Sequence, residues 1–214
     1  GRCMLVTRNG FDCGNIGLCT FGYERITHVE VIKHGNALAL KAEVEQKKSE
    51  LVAYDGPYYH VFFHSLIIYP ELAFDGDYKH EGYDMWMTTV SEFKAMLPQM
   101  YERGFILYPL NEVKADGEIL LPPDKKPLII SIDDVNYYEY MKGDGFAEKL
   151  VINEEGNLAC EVTTPNGNVI TTYDGDVMPI LDEFVREHPD FSYKGARAIL
   201  AVTGYDGVFG YRTT

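Results

Sequence analysis

The chain has 214 residues, of which 46% are hydrophobic and 24% charged, and this balance excludes a disordered, collagen-like or low-complexity protein. Its 33 acidic and 19 basic residues give a formal net charge of −14. Because so acidic a surface repels phosphate backbones and anionic lipids, we expect no nucleic acid or membrane surface as a partner, and neutral polymers, small molecules and metal cations are better candidates.

Cysteines and apolar runs add two expectations. The chain has four irregularly spaced cysteines, Cys3, Cys13, Cys19 and Cys160. No two of them form a C-x-x-C pair, which favours free structural thiols over a metal or redox motif. The longest apolar run, residues 61–69, is far shorter than the roughly 20 residues of a transmembrane helix, so no membrane span is predicted. No signal peptide is recognisable in the sequence, which leaves the location of the protein undetermined.

Residues 1–56 differ in character from the rest and are predicted to form an N-terminal extension. From Asn36 onward, apolar residues follow helical spacing with charged residues between them, which predicts a helix packed against the outside of the next domain. Asp55-Gly56-Pro57 is a strong breaker and ends this helix. The second domain is predicted to span residues 57–214.

The second domain begins with a strand and a helix. Residues 58–68 are dense in aromatic and β-branched residues, which predicts a buried strand of the kind found in parallel sheets. An acidic, glycine-bearing loop is predicted for residues 71–84. Thr89 and Glu92 then form a capping box ahead of an amphipathic helix, in which Pro98 predicts a kink.

Further strands follow the helix. Strands are predicted at residues 105–110 and 125–134, the latter with the strongest strand signal in the chain. Turn signals at Glu155-Gly156 and Asn166-Gly167 divide residues 150–173 into three short runs, as in an antiparallel meander.

The last predicted elements complete an α/β fold with an antiparallel insertion. Asp176 caps a second amphipathic helix, which Pro189 ends. A final strand is predicted at residues 198–202. Because the outer edge of this strand has no predicted partner, we expect it to pair with a second copy of the chain or with further sequence.

Asp133 and Asp134 are the sharpest chemical feature, because they end the apolar strand of residues 125–134. The carboxyl ends of strands are where functional sites gather in α/β folds. Neighbouring residues on a strand point to opposite sides, so one carboxylate can ligate a metal while the other turns toward a water molecule. A solvated pair of acids that caps the next turn is the alternative interpretation.

Four motifs, in order over roughly residues 58–214, resemble the polysaccharide deacetylase family, the NodB-like carbohydrate esterases. They are Phe63-His64-Ser65 after a strand, the series Phe93, Leu97, Met100, Gly104-Phe105 and Leu110, the proline-led strand ending in Ser131-Ile132-Asp133-Asp134-Val135, and residues 196–204. The resemblance implies a partial (β/α) barrel of the NodB type, with a β-hairpin insertion at about residues 142–174.

The resemblance also implies an activity, namely metal-dependent hydrolysis of acetyl groups from a glycan. In the family a divalent metal, zinc or similar, polarises the acetyl carbonyl and activates a water molecule. By resemblance, Asp133 is the general base and Asp134 a metal ligand. Family members usually act on cell-envelope or extracellular glycans, which makes an acetylated carbohydrate the expected partner.

The sequence departs from the family pattern in three places. Val135 stands where the family has glycine. No histidine follows His188, so the family's metal-binding His-Ser/Thr-x-x-His motif has no counterpart, and Arg212 lies too early for the later arginine motif. The sequence therefore predicts the front part of such a barrel. A catalytically silent carbohydrate-binding or structural domain on the same fold stays open as the second hypothesis.

Histidines and tyrosines near the motifs have two interpretations each. His60 and His64 are spaced for one metal on a helix, where they would lie about 6 Å apart, but a strand separates them by about 13 Å, too far for joint coordination at about 2.1 Å. His64 alone is a candidate for lining a substrate groove, or a core histidine. Tyr137, with Tyr138 and Tyr140, is a candidate for stacking on sugar rings, or part of the core.

Overall fold

The computed structural model describes most of the chain after residue 50. The described residues are 51–113, 118–203 and 205–212, together with the backbone of two short strands, β1 (Leu5–Val6) and β2 (Asp12–Cys13). The chain divides into two compact units, the first formed by Gly1–Asp55 and Glu118–Asp124, the second by Gly56–Gly117 and Lys125–Thr214.

The described elements mix strands and helices along the chain. The strands after β2 are β3 (Val52–Tyr54), β4 (Tyr59–Phe63), β5 (Phe105–Leu107), β6 (Ile119–Leu121), β7 (Lys126–Ile132), β8 (Ala147–Ile152), β9 (Leu158–Thr163), β10 (Val169–Thr172) and β11 (Ile199–Leu200). The α-helices are α1 (Pro70–Ala73), α2 (His80–Trp86), α3 (Val90–Glu102) and α4 (Val177–Glu187). Short 3-10 helices lie at Leu110–Glu112, Glu139–Met141, Pro189–Phe191 and Tyr193–Gly195.

The first unit contains two antiparallel strand pairs, β1 with β2 and β3 with β6. The helix predicted from Asn36 onward lies mostly outside the described residues. Its predicted end is wrong, because Val52–Tyr54 forms β3 and pairs with Ile119–Leu121. The apolar partner segment lies far along the chain, so local spacing could not reveal it.

The second unit is built on a parallel sheet with β7 at its centre. β4 runs along one edge of β7, with Tyr59 opposite Leu128 and Phe63 opposite Ile132. β5 pairs with the beginning of β7 and β11 with its end. Since Leu128 is paired with both β4 and β5, these two strands must lie on opposite edges of β7. Ile132 is paired with both β4 and β11, so β11 lies on the same edge of β7 as β5.

The predicted α/β class is confirmed, and the four described parallel strands form an open sheet rather than a closed barrel. Four parallel strands are too few to close, since a small barrel takes about eight. The expectation that the first strand is fully buried is wrong. Phe62 is 56% exposed, because it lies on the face of β4 opposite to that of Phe63, and only the Phe63 face packs into the core.

Helix α3 begins and packs as its sequence predicts. The Thr89 hydroxyl accepts a hydrogen bond from the Glu92 amide at 3.2 Å, and the Glu92 carboxylate accepts one from the Thr89 amide at 2.9 Å. Phe93 and Leu97 are fully buried in the main core, against the inner face of the sheet. Pro98 lies inside the helix. Packing of this apolar face outweighs the hydrogen bond that proline removes.

The antiparallel meander and the second helix are also confirmed. β8, β9 and β10 form a three-stranded sheet whose turns carry Gly156 and Gly167, both at a φ of +80°. α4 follows, with Asp176 as its N-cap, and packs against β9. The apolar face of α4 packs inward, with Phe184 partly buried and five residues buried: Val177, Pro179, Ile180, Leu181 and Val185.

The predicted loop at residues 71–84 is largely helical instead, since it contains most of α1 and most of α2. Tyr83 is buried against Phe146, with ring centroids 5.0 Å apart, in a small second core. Helices this short depend on tertiary packing, which the acidic local composition does not predict.

None of the helices in the described part of the chain combines the length and the apolarity required to traverse a lipid bilayer. β11 pairs with β7 and, among the residues described, with no other strand. Self-association through that edge stays a prediction.

Candidate functional site

The carboxyl edge of the parallel sheet brings two of the predicted site residues together. Phe63 and Ile132 are the last paired residues of β4 and β7, so His64 and Asp133 come next on adjacent strands. The Asp133 amide donates to the Phe63 carbonyl at 2.7 Å, which extends the ladder by one hydrogen bond. The backbone of Asp133 is therefore held in place by β4.

Asp134 turns the chain immediately after the strand. Its φ is +56°, in the left-handed region that aspartate enters more readily than most residues with a side chain. The Asn136 amide donates to the Asp134 carbonyl at 2.6 Å, and the Val135 amide donates to the Ala201 carbonyl at 3.3 Å, next to β11. Val135, the next residue, is buried in the core.

The two carboxylates of this turn are both partly exposed. Within the described ranges, neither Asp133 nor Asp134 accepts a side-chain hydrogen bond or forms an ion pair. Their oxygens are therefore available to water, to a cation or to a ligand.

The carboxylates suit a divalent metal in kind but not in number. A tight zinc site takes three or more protein ligands. The part of the chain that the structure describes contains no group of three His, Cys, Asp or Glu side chains arranged to hold a metal ion. The metal that the family resemblance implies therefore does not fit the described residues by themselves.

His60 and His64 have separate environments. His60 belongs to β4, and its Nε2 lies 2.9 Å from Ser131 Oγ on β7, so it bridges the two strands. His64 follows the strand, is partly buried, and has its ring 6.1 Å from that of Phe62. Because the intervening backbone is extended, a spacing of four residues separates the histidines by about 13 Å. His64 stays a candidate for lining a groove.

Tyr137 is a core residue. It is 3% exposed, and its hydroxyl donates to Asp176 at 2.5 Å. Burial, the Asp176 charge and the neighbouring Cys160 raise the pKa of the Tyr137 phenol well above its usual value. The side chain that the sequence nominated for substrate contact therefore faces the interior, and its neighbours Tyr138 and Tyr140 form the accessible surface.

Asn136 was not found by sequence reasoning. Its side chain is fully buried and donates to Thr203 Oγ1 at 2.7 Å and to the Tyr205 carbonyl. Its backbone also donates to Asp134. Asn136 thus connects the turn at Asp133 and Asp134, here called the aspartate turn, to the segment after β11. The partners lie more than 60 residues away, so no local pattern could signal the role.

Arg212 has a structural function that its position in the sequence did not reveal. Its guanidinium donates to the carbonyls of Asp206, at 2.7 Å, and of Tyr137. It also lies 3.4 Å from the carboxylates of Glu139 and Asp206. Arg212 therefore holds the end of the described chain against the segment that follows the two aspartates.

An open concavity of about 760 Å³ lies between the segment that follows Asp134 and the segment that follows β11. It is lined by Tyr138, Tyr140, Tyr205 and Asp206. Burial, followed by the charges of Tyr138 and Asp134, raises the pKa of the Tyr140 phenol. Tyr138 and Tyr140 belong to the segment that follows Asp134, so the concavity lies next to that segment.

Comparisons of the chain with protein-family models, with curated proteins and with solved structures find no match. The site is therefore interpreted from its own residues and geometry.

Proposed function

We propose that this protein is a carbohydrate deacetylase of the NodB type, which hydrolyses acetyl groups from a glycan. One observation carries the proposal: Asp133 and Asp134 directly follow the central strand of a parallel sheet, and their carboxylates have no partner among the described residues. Unpaired acids at the carboxyl end of a central strand are placed where α/β enzymes hold reacting groups.

The parallel strands support the α/β part of the proposal. β4, β7 and β11 are parallel and lie side by side. Each of the three ends within one of the family-like motifs, at residues 63–65, 131–135 and 196–204. β5 departs from the sequential strand order of a (β/α) barrel, because it comes between β4 and β7 in the chain but pairs with the edge of β7 opposite to β4.

The proposed roles follow from the two backbone environments. Asp133 continues β7 and is the proposed general base, which accepts a proton from the attacking water. Asp134 stands on the turn and is the proposed metal ligand. The proposal requires further ligands besides Asp134, because the described residues do not supply a group of three.

A catalytically silent carbohydrate-binding domain is the second candidate function. The shortage of ligands among the described side chains favours it. It shares the glycan surface with the first candidate but predicts neither bound metal nor acetate release, so the two are separable by experiment.

The test measures metal content and acetate release on the purified chain after dialysis against zinc. The deacetylase proposal predicts release of acetate from an acetylated oligosaccharide and stoichiometric zinc, and the zinc requires ligands in addition to those that the described residues supply. Asp134→Ala is expected to lose the zinc. Asp133→Asn is expected to keep it and to lose activity by about 10²- to 10⁴-fold, the usual contribution of a general base.

Asp174→Ala serves as the matched control, since Asp174 is an exposed aspartate that pairs with Lys94. It should leave zinc content and acetate release unchanged. Zinc retained in Asp134→Ala would contradict the ligand role. Absence of both zinc and acetate release from the wild-type chain would leave the silent domain as the better description.

A further inference from the structure

Four tyrosines at the surface around the segment that follows Asp134, three of them exposed, are here called the tyrosine strip: Tyr78, Tyr138, Tyr140 and Tyr205. Tyr78 is 90%, Tyr205 75% and Tyr140 58% exposed, and Tyr138 is partly buried. So many large rings in contact with solvent are unusual for a surface without a ligand.

Three of the four rings, those of Tyr138, Tyr140 and Tyr205, lie next to one another. Tyr138 and Tyr140 are nearly parallel, with centroids 5.6 Å apart and planes inclined by 16°. Tyr205 stands on the other side, with its centroid 6.3 Å from that of Tyr138. Lys79 extends the strip, because its Nζ lies 3.2 Å from the Tyr140 carbonyl and 5.8 Å from the centre of the Tyr78 ring.

Buried and paired groups hold the strip in place. Asp206 accepts a hydrogen bond from the Glu139 amide at 3.1 Å, within the segment that carries Tyr138 and Tyr140. The carbonyl of Tyr205 accepts from buried Asn136. Because these contacts fix the backbone on both sides of the concavity, little conformational entropy is lost when a ligand binds.

The charges around the strip select against anionic ligands. Lys79 is ion-paired with Asp144, and Arg212 lies 3.4 Å from both Glu139 and Asp206. Nucleic-acid bases also stack on aromatic rings, but a nucleic acid needs cations for its phosphates as well. Lys79 and Arg212 are already paired with carboxylates, so they do not offer a phosphate site. The C–H faces of sugar rings are apolar and uncharged, and they pack on the electron-rich faces of tyrosines.

We propose that the tyrosine strip binds an uncharged glycan chain, whose sugar residues pack along the exposed surfaces of the rings, next to the segment that carries Asp133 and Asp134. Several rings in sequence fit a polymer better than a single sugar. The inference rests on the proposed function only for the position of the reacting group, whereas binding itself depends on the strip.

The test is a titration of the full chain with an acetylated chito-hexasaccharide, an acetylated xylo-hexasaccharide, the corresponding monosaccharides and a proline-rich peptide. We expect at least one hexasaccharide to bind at least tenfold more tightly than its monosaccharide. Tyr140→Ala and Tyr205→Ala are each expected to weaken that binding by about 3- to 10-fold.

Matched variants separate ring loss from general damage. Tyr140→Phe and Tyr205→Phe keep the rings and are expected to bind within about twofold of wild type. Val169→Ala removes exposed apolar surface from β10 and is expected to bind like wild type. Thermal unfolding of every variant checks that the fold is intact.

The outcomes distinguish this inference from the proposed function. Tyrosine-dependent binding without acetate release, including binding by Asp133→Asn, would support the strip and overturn the deacetylase. Acetate release that Tyr140→Ala and Tyr205→Ala leave unchanged, with unchanged binding, would overturn the strip alone. Failure of every hexasaccharide to bind, or preferential binding of the proline-rich peptide, would also overturn it.

Discussion

Asp176→Ala is expected to lower the free energy of unfolding by about 2–5 kcal/mol, because it leaves buried donors without an acceptor. The Asp176 carboxylate is 1% exposed and accepts hydrogen bonds from the amides of Leu66, at 3.2 Å, and Val177, at 2.7 Å, and from the Tyr137 hydroxyl. It therefore joins the segment after β4, the start of α4 and the segment after the aspartate turn. Urea unfolding followed by circular dichroism measures the loss.

The same carboxylate makes stability depend on pH. Burial raises the pKa of Asp176 from 3.8 to about 6, although its hydrogen bonds from Tyr137, Val177 and Leu66 act in the opposite direction. Because the native pKa lies above the unfolded one, the group's stabilising contribution is complete below about pH 4 and is lost as the pH rises to about 6. At about 1.4 kcal/mol per pKa unit, the loss is about 3 kcal/mol.

Two conservative variants test this in opposite directions. Asp176→Asn keeps acceptors for the two amides but has no charge to bury, so relative to wild type it should gain up to about 3 kcal/mol between pH 4 and pH 7. Tyr137→Phe removes a hydrogen bond that lowers the Asp176 pKa, so its stability should fall more steeply with rising pH. A constant difference between Asp176→Asn and wild type across this range would contradict the assignment.

Gly145→Ala is expected to destabilise the protein by about 2–5 kcal/mol, whereas Gly143→Ala should cost only about 1–2 kcal/mol. Both glycines are left-handed, with φ of +85° and +89°. A Cβ at Gly145 would overlap the Tyr69 carbonyl oxygen and lie 3.2 Å from its carbon, while nothing lies within 4 Å of a Cβ at Gly143. The pair therefore separates steric overlap from backbone strain.

The site of overlap cannot relax without breaking other contacts. The Gly145 carbonyl accepts hydrogen bonds from the amides of Ile68, at 2.7 Å, and Tyr69, at 3.1 Å, so moving the two segments apart breaks both. Since about 1 kcal/mol shifts the melting temperature by about 2–4 °C in a domain of this size, thermal unfolding resolves the two variants. Equal melting temperatures for the two would contradict the overlap.

Much of the secondary structure was predictable because its signals are local. The capping box of Thr89 and Glu92 lies within four residues, and Gly156 and Gly167 mark their turns directly. The short helices α1 and α2 and the pairing of β3 with β6 escaped prediction. Their stability comes from partners elsewhere in the chain, which local propensity does not encode.

The candidate site was predictable in part for the same reason. Asp133 and Asp134 follow an apolar strand, and that pattern alone marks the carboxyl edge of a sheet. Sequence spacing could not decide which of two neighbouring tyrosines faces solvent. In the folded chain Tyr137 is buried and Tyr138 is partly exposed. Asn136 and Arg212 act through contacts across 60 or more residues, which only the folded chain brings together.

The sequence by itself determined the class of fold, the order of its main strands and helices, and the acidic doublet at a strand end. Those features depend on the spacing of hydrophobic residues, on helix caps and on turn residues, all of which act between residues a few positions apart in the chain. Only the tertiary structure decided which side chains are buried and which tyrosines form a continuous surface. Burial and pairing depend on where distant segments meet, and the packing of the whole unit sets that position.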